Sequence, residues 1–526
     1  MLVAAPLLVS CAARNSSPGG SGGARASGGA GSGGASASGG AGAQGGAGGL
    51  GGASAVGGAT GLGGAGGGPE AGGPGGAVVA GAPLLDNVTG RFPAADAPST
   101  CIDPQLRLTF KVPVSVGEGR VQIWEAGSGA ADALVDTLRF ALPSNPVQPT
   151  YSDILGVGTT RTFRFNRPLY VDGTQATIVL RHAAALKPGR TYYVTVDSGL
   201  FLDAAGASLG AIVDPASWRF TIGAGVPANR DSIVVALDGD GDFCSVQGAV
   251  DAVPANNTSP VTITVKTGTY REILFIKNKA LLALRGEDRK KSIIAYANNE
   301  KLQSGTALRA MIEAEGSSEM TIENITLQNL TPQDGGQAEA LRAEPAEKLI
   351  LRNVDVKSLQ DTLLLTGRIY VVNSAIEGNV DFIWGKGTAY FEKCDIKVIA
   401  RKGYNVQARN AVDAYGYVFV DTTFTTDRVI SGHYLGRIDV GVYPGSHVAY
   451  VNARFTAGML DPTGWITTNA ADTSKLRFWE YQSTDLDGNP LDVSMRNPAS
   501  KQLTEAEAAM MRDKAVVFGG TWSPAP

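Results

Sequence analysis

Alternating apolar and polar positions predict short β-strands in the region from about residue 84 to 224. Leu106–Phe110 and Trp218–Ile222 each place an apolar side chain at every second residue, and turns rich in glycine and proline separate such runs. Short alternating strands between turns of this kind are typical of an antiparallel sandwich. The pattern therefore predicts a β-sandwich domain over residues 84–224.

From residue 231 onward, short apolar stretches repeat along the chain. Equivalent positions in successive stretches are separated by 29, 20, 20, 28 and 31 residues. These intervals are too short for a strand, a helix and two loops, which disfavours a doubly wound α/β fold. We predict an all-β fold with a right-handed parallel β-helix over 231–526, in which each coil adds a strand to parallel sheets; a flat antiparallel sandwich is the alternative. The stretches are Met320–Leu327, Leu349–Val356, Ile369–Ile376, Ala389–Ile396, Gly416–Phe424 and His447–Phe455.

Residues 12–83 consist almost entirely of glycine, alanine and serine. Such a segment cannot bury enough apolar surface to offset the entropy of ordering, so we predict a disordered, flexible linker. Glycine does not recur at every third position, which excludes a collagen-like helix.

The first eleven residues predict export. Met1–Ser10 is a short apolar run, and Leu8-Val9-Ser10-Cys11 resembles the lipobox of bacterial lipoproteins, in which the cysteine is acylated. An ordinary secretory signal, or chance, is the alternative. No later segment holds ~18 consecutive apolar residues, so a lipid on Cys11 is the only membrane attachment we expect. We expect a secreted or outer-surface bacterial lipoprotein.

The charged residues and the histidines exclude some classes of function. The net charge is −4, and residues of both signs are interspersed, so nucleic acid is not an expected partner. The histidines lack ligand spacing, so we expect no metal and no cofactor. They are His182, His433 and His447.

Four cysteines are too few for a disulfide scaffold. A bridge from Cys101 to Cys244 would have to link two domains, so we interpret Cys244 and Cys394 as small buried residues.

The candidate chemistry lies in two aspartates 20 residues apart, Asp361 and Asp381. Each follows a reference position of the repeat, Val354 or Ser374, by seven residues, so the two should stack on adjacent coils, ~4.8 Å apart. Two close carboxylates do not easily ionise together, so such a pair supplies an acid and an anion. The alternative is a pair of turn-capping aspartates.

Residues 231–526 contain further short motifs besides the two aspartate segments. They are Asp238–Phe243, Val246–Val250, Gly268–Glu272, Leu284–Gly286, Gln337–Leu341, Tyr434–Arg437, Asp461–Trp465 and Gly519–Pro524. Each motif is weak alone, and together they are specific. In this order, the motifs resemble those of the pectin methylesterases.

The resemblance implies a role for each candidate catalytic residue. Asp381 would be the nucleophile on the C6 carbon of a methylated galacturonate unit. Asp361 would be the general acid that protonates methanol and then the base that activates water. Gln337 and Gln360 would stabilise the oxyanion, and Arg437 would orient Asp381. The expected partner is pectin, bound by a monomer.

The aromatic residues near these motifs have two interpretations. Phe382 and Trp384 are core residues or sugar-stacking platforms, and strand alternation would put both on one face. We count them as candidate substrate-binding residues together with Tyr270, for which packing is the stronger interpretation.

The chain also departs from the family pattern. Ile438 and Asp439 follow Arg437 where the family usually has Pro-Trp, and Leu364 stands where it often has tyrosine. A carboxylate at position 439 should weaken binding of de-esterified, anionic units.

The 84–224 region adds a second resemblance. The segment from Leu186 to Val196 resembles bacterial Ig-like modules, which serve as spacers or as carbohydrate- or wall-binding domains.

The sequence favours a pectinesterase over three alternatives. They are a polygalacturonase or lyase on the same fold, an envelope-anchored polysaccharide-binding protein, and an esterase for another ester. The intact set of candidate catalytic residues argues against pure binding, because a binder does not need a close acid pair.

Overall fold

The computed structural model describes residues 83–526 except 128–130, 141–150, 167, 181–185, 224, 227–229, 333–334, 400–401 and 470–471. The proposed signal at 1–11 with Cys11, the linker up to residue 82, and His182 lie outside the described residues. Among the helices that are described, none has the length and apolar character needed to cross a membrane.

The first described region is a β-sandwich, as its alternating pattern predicts. Strand order is β1-β3-β10-β9 in one sheet and β2-β13-β11-β5-β6 in the other. Both sheets bury one face in a shared apolar core. A 3-10 helix at Leu84–Asn87 precedes the strands. The strands are β1 Val88–Phe92, β2 Ala97–Thr100, β3 Leu106–Phe110, β4 Ser115–Val116, β5 Gly119–Glu125, β6 Ala133–Phe140, β7 Tyr151–Ile154, β8 Thr162–Phe165, β9 Leu169–Asp172, β10 Gln175–Ile178, β11 Thr191–Val196, β12 Phe201–Leu202 and β13 Arg219–Ile222.

The second region consists of short strands with helices near its two ends. The strands are β14 Ser232–Val235, β15 Val261–Val265, β16 Gly268–Tyr270, β17 Leu274–Lys277, β18 Leu282–Gly286, β19 Ser292–Tyr296, β20 Ile312–Glu315, β21 Ser317–Ser318, β22 Thr321–Glu323, β23 Thr326–Asn329, β24 Leu341–Arg352, β25 Asp355–Lys357, β26 Leu363–Val372, β27 Ala375–Gly378, β28 Val380–Gly385, β29 Thr388–Glu392, β30 Asp395–Val398, β31 Tyr404–Ala408, β32 Tyr417–Val420, β33 Thr423–Thr426, β34 Tyr434–Asp439, β35 His447–Val451, β36 Arg454–Phe455, β37 Trp465–Thr468, β38 Arg477–Tyr481, β39 Thr484–Asp485 and β40 Ser500–Gln502. The helices are α1 Val246–Ala252, α2 Glu505–Arg512 and α3 Lys514–Val517.

These strands form three parallel ladders, so the prediction of a parallel β-helix is confirmed and the flat antiparallel alternative is wrong. Ladder A runs β14-β15-β18-β22-β24-β26-β29-β32-β35-β38-β40, ladder B runs β17-β20-β24-β26-β28-β31-β34-β37, and ladder C runs β16-β19-β23-β25-β27-β30-β33-β36-β39. The long strands β24 and β26 belong to both A and B. Ladder B carries the candidate catalytic residues.

Inside the coils, side chains at equivalent positions stack from strand to strand. The rings of Phe391 and Phe419 are 4.5 Å apart and nearly parallel, and Tyr450 continues the stack at 4.9 Å. Identical register on successive coils aligns such rings, and their burial stabilises the solenoid. At the C-terminal end, Thr504 and Glu507 form a capping box that starts α2. Helix α2 packs its buried face against the outside of ladder A.

The β-sandwich and the β-helix are joined covalently. Cys101 and Cys244 form a disulfide with their Cα atoms 5.6 Å apart, so our interpretation of Cys244 as a free buried residue is wrong. The sequence analysis considered this bridge but preferred buried cysteines, because the two residues lie in different domains, 143 residues apart. Cys394 is free and buried, as predicted. Beside the bridge, the Asp103 carboxylate accepts a 2.7 Å hydrogen bond from the Cys244 N–H.

The β7–β8 hairpin of the sandwich reaches across to the β-helix. Phe163 packs on Phe275 of β17, and Phe165 packs edge-on against Tyr296 of β19. The hairpin's buried aromatic residues belong to the same apolar cluster as the β-helix interior. The sandwich is therefore attached by a shared core as well as by a disulfide.

Candidate active site

The two candidate carboxylates lie side by side on ladder B, as the 20-residue repeat predicts. Gln360 pairs with Val380, and Leu363 of β26 pairs with Ile383 of β28. This register sets Asp361 opposite Asp381 on the adjacent coil. Both aspartates have left-handed backbone, with φ of 65° and 47°. Aspartate tolerates this conformation better than most residues do, and at both positions the left-handed backbone coincides with the candidate site.

Asp381 forms an ion pair with an arginine. Arg437 in β34 donates from Nη2 to Asp381 Oδ2 at 2.6 Å. The pKa of Asp381 is raised, because burial outweighs the opposing charges of Arg437 and Arg409. The other oxygen, Oδ1, is buried and has no hydrogen-bond partner among the described residues. Asp381 thus presents one anchored oxygen and one with free lone pairs.

Asp361 has a different environment. It is 3% exposed, and burial together with the charges of Glu339 and Asp381 raises its pKa to about 8, against the opposing effect of Arg309 and Arg409. At neutral pH the Asp361 carboxyl is therefore mainly protonated. The neighbouring coils thus hold a neutral acid beside an anion, which is the arrangement required for acid catalysis by one group and nucleophilic attack by the other.

Arg309 and Glu339, which the sequence analysis did not identify as site residues, complete the Asp361 side. Arg309 precedes β20 and donates from Nη2 to Asp361 Oδ2 at 3.0 Å. The same guanidinium makes bonds of 2.7–3.0 Å to both carboxylate oxygens of Glu339. Glu339 lies within the Gln337–Leu341 motif. An acidic residue between two alanines was the sequence feature that could have identified it. Arg309 had no motif around it.

The candidate oxyanion residues flank this cluster. Gln337 and Gln360 are on neighbouring coils, since the Ala338 N–H donates to the Gln360 carbonyl at 3.2 Å. Both side chains are partly exposed. Arg309 Nη1 donates to Gln337 Oε1 at 2.5 Å. Arginine has no acceptor atom, so this bond directs the Gln337 amide N–H groups away from Arg309.

Of the three aromatic candidates, only Trp384 borders the site. Its ring lies 4.3 Å from the Arg409 guanidinium carbon, and it is 7% exposed. Its indole Nε1 is buried with no partner in the described part of the chain. The guanidinium carbon of Arg309 lies 5.9 Å from the ring.

Phe382 and Tyr270 are not placed to contact a ligand, which corrects both predictions. Phe382 is fully buried in the β-helix core, as is Ile383. Strand β28 has one extra residue relative to β31 between Val380 and Ile383, and this bulge breaks the strand alternation on which the prediction for Phe382 rested. Tyr270 is also fully buried, and its hydroxyl donates to the carbonyls of Val235 and Lys266 at 3.1 Å each.

The residues that depart from the family pattern lie on ladder B, as the candidate site does. Leu364 pairs with Trp384 across ladder B. Ile438 is buried, and Asp439 follows Arg437 by two residues on the same strand. Asp439 Oδ2 accepts a 3.0 Å bond from the Asn469 amide. The carboxylate at 439 is therefore held in place.

Together these features define a parallel β-helix protein with an anionic and a neutral carboxyl side by side on one ladder. The pectinesterase family model matches residues 232–489, and the model of a bacterial Ig-like domain matches 85–222. Pectinesterase 31 of Arabidopsis thaliana is 31% identical over 295 residues, which cover 53% of this chain and 90% of that protein. A pectinesterase of Petunia integrifolia is 35% identical over 274 residues, covering 48% and 71%. The chain belongs to the pectinesterase family.

The fold agrees with a solved member of that family. The pectin methylesterase from carrot superposes with a TM-score of 0.50 at 24% identity, covering 56% of this chain and 95% of that one. At this identity the likeness concerns the fold, and the chemistry is argued from the residues above.

Proposed function

We propose that this chain hydrolyses the methyl esters of galacturonate units in pectin and releases methanol. Membership of the pectinesterase family supports the reaction. The observation that carries the proposal is the pairing of Asp381, anionic with Oδ1 free, with the protonated Asp361 on the adjacent coil. One group can attack while the other supplies a proton, and no further residue is needed for either role.

In the first half of the proposed reaction, Asp381 Oδ1 attacks the C6 carbonyl carbon of the ester. The carbonyl electron pair moves to the oxygen, which accepts hydrogen bonds from the amide groups of Gln337 and Gln360. The C–O bond to the methoxy group then breaks, and Asp361 donates its proton to that oxygen. Methanol leaves, and an acid anhydride joins the substrate to Asp381.

In the second half, the ionised Asp361 removes a proton from water. The hydroxide forms a bond to the C6 carbon, and the bond to Asp381 Oδ1 breaks with its electron pair returning to Asp381. Asp361 is protonated again, and the free galacturonic acid loses its own proton to solvent. Arg437 remains bonded to Asp381 Oδ2 throughout, so the same oxygen attacks in each turnover.

Trp384 is the proposed substrate-binding aromatic residue, because its ring lies beside Arg409 and near Arg309, which bonds Asp361. Asp439 lies on the strand of Arg437, and its charge disfavours an anionic, de-esterified unit nearby. We therefore expect the enzyme to favour highly methylated pectin over sparsely methylated pectin.

The test is methanol release from highly methylated pectin by the full-length chain, with reducing ends and unsaturated products followed in parallel. Methanol alone, abolished by Asp381→Ala, is the expected result. Reducing ends or unsaturated products would instead support a polygalacturonase or a lyase. A folded chain that released no methanol would contradict the proposal and leave another ester or a binding role.

The organisation outside the active site is also part of the proposal. We propose a signal segment at 1–11, a linker at 12–83, an Ig-like domain at 84–224 and a catalytic domain at 231–526, acting as a monomer at the bacterial surface. Acylation of Cys11 would be detected by incorporation of labelled palmitate that Cys11→Ala removes. Secretion without incorporation of label would indicate an ordinary signal. Light scattering of the purified chain tests the monomer.

A further inference from the structure

Arg309 is the most heavily bonded charged side chain near the carboxylate pair. Its side chain is 4% exposed, and it donates to Glu339, Asp361 and Gln337, with a further 2.8 Å ion pair to Glu300. A buried arginine is costly unless its donors are satisfied. Here two of the acceptors belong to residues of the proposed reaction.

We propose that Arg309 is a positioning residue that orients two working groups at once, the general acid Asp361 and the oxyanion donor Gln337. The proposal rests on the proposed function and deepens it. Arg309 does not contact the reacting ester, and it acts through those two side chains.

The first effect concerns which oxygen of Asp361 carries the transferable proton. Arg309 Nη2 donates to Oδ2 at 3.0 Å. An oxygen that accepts from a guanidinium is a poor site for a proton, because N–H and O–H would then compete for the same region. The proton is therefore held on Oδ1, the oxygen that Arg309 leaves available.

The second effect concerns the orientation of the Gln337 amide. An amide group can be turned by 180° with little change in shape, so its donor and acceptor ends need a fixed partner. Arg309 Nη1 can only donate, and it bonds Gln337 Oε1. The amide nitrogen must then point the other way, and its N–H groups are available to an oxyanion.

Glu339 explains why Arg309 stays in place. It is fully buried and accepts from both Nε and Nη2 of Arg309. This two-point contact fixes the plane of the guanidinium. The edge facing the site is thereby presented to Asp361 and Gln337 in one orientation.

The test is Arg309→Lys in the full-length chain, because lysine keeps the charge and loses the planar fork. We expect kcat for methanol release to fall about 10- to 100-fold, as for a misplaced catalytic group, with KM changing less than about three-fold. The matched control is Arg496→Lys. Arg496 is also a buried arginine, 6% exposed and paired with the buried Glu480, and it makes no hydrogen bond to the carboxylate pair. It should leave kcat within about two-fold.

A double variant separates positioning from simple structural support. Gln337→Ala alone should cost about 10²-fold in kcat. In that background Arg309→Lys should cost less than it does in the wild-type chain, because one of its two targets is gone. Full multiplication of the two losses, or an Arg309→Lys variant within two-fold of wild type, would overturn the positioning role.

Glu339→Gln is a second variant in case Arg309→Lys does not fold. It keeps one acceptor oxygen for Arg309 but loses the two-point contact, so kcat should fall, by less than the loss expected for Arg309→Lys. A kcat within two-fold of wild type would show that the orientation of Arg309 does not affect the reaction, and would overturn the proposal. A folded wild-type chain without methanol release would overturn this inference together with the proposed function, whereas an active wild type with an unaffected Arg309→Lys would overturn the inference alone.

Discussion

The two sides of the carboxylate pair use the same residue type in opposite ways. Asp361 and its partner Arg309 have side chains 5% and 4% exposed, whereas Asp381 and Arg437 are 11% and 36% exposed. Arg309 is shared with a second carboxylate, Glu339, and Arg437 serves Asp381 through a single 2.6 Å bond. Burial and nearby acids raise the pKa of Asp361 to about 8, whereas the raising effect of burial on Asp381 is opposed by an arginine that it does not share with another carboxylate.

This difference shows how a β-helix can give two aspartates on adjacent coils different pKa values. The successive coils from β20 to β34 each contribute one charged group at or next to ladder B, so the neighbours of a residue are the groups on the coils before and after it. Asp361 has an acid on both sides, Glu339 on the preceding coil and Asp381 on the following one. Asp381 has an acid on one side only. The order of the coils therefore gives the two aspartates different electrostatic environments.

The largest effect should come from removing the anion. Asp381→Asn keeps the shape and loses the proposed nucleophile, so methanol release should fall on the order of 10⁴-fold or more. The control is Asp395→Asn, an exposed position on ladder C, which should leave the rate unchanged. A residual rate within ten-fold of wild type would assign the nucleophile elsewhere.

The next largest effect should come from the acid. Asp361→Asn removes the proposed proton donor and is expected to lower kcat about 10²- to 10⁴-fold. In the wild-type chain, kcat/KM should fall as pH rises through about 8, because Asp361 then loses its proton. The residual activity of Asp361→Asn should lack this alkaline limb. A limb at the same pH in the variant would show that another group sets it.

The Asp361→Asn substitution should also show how the raised pKa of Asp361 changes the free energy of unfolding with pH. Its folded pKa is raised, so the stability contributed by the neutral form is present below the unfolded pKa near 4 and is lost as pH rises to about 8. Asp361→Asn does not titrate. Relative to wild type, its free energy of unfolding should therefore rise between pH 5 and 8, on the order of 1–3 kcal/mol. Urea unfolding at the two pH values measures this, and an equal difference at both would contradict it.

A smaller effect is expected on the Asp381 side. Arg437→Lys keeps a cation and weakens the contact to Oδ2, so kcat/KM should fall about ten-fold. Because Arg437 lowers the pKa of Asp381, a weaker partner lets that pKa rise. The acid limb of the pH profile should move to higher pH. An unchanged acid limb would mean that Arg409, and not Arg437, keeps Asp381 ionised.

The sequence predicts those parts of the site whose spacing follows the repeat length of the coils. The 20-residue step from Asp361 to Asp381 equals the length of one coil, so stacking followed from counting alone. Arg309 is 52 residues from Asp361 and on a coil of different length, so no period linked them. The disulfide between Cys101 and Cys244 was considered but not predicted, because no local period relates cysteines in two domains. The prediction for Phe382 was wrong because the bulge between Val380 and Ile383 is a feature that simple alternation does not encode.

The smallest effect, and the sharpest comparison of the two sides, should come from Glu339→Gln. The charged groups around Asp361 are Glu339, Arg309, Asp381 and Arg409, and the change removes one negative charge from them. The pKa of Asp361 should fall, so the alkaline limb of kcat/KM should move to lower pH by about 0.5–1 unit, while the acid limb set by Asp381 stays in place. A pH titration of methanol release measures both limbs. If the two limbs moved together, the carboxylates would titrate as one coupled unit, and the division of roles between the two sides of the site would be wrong.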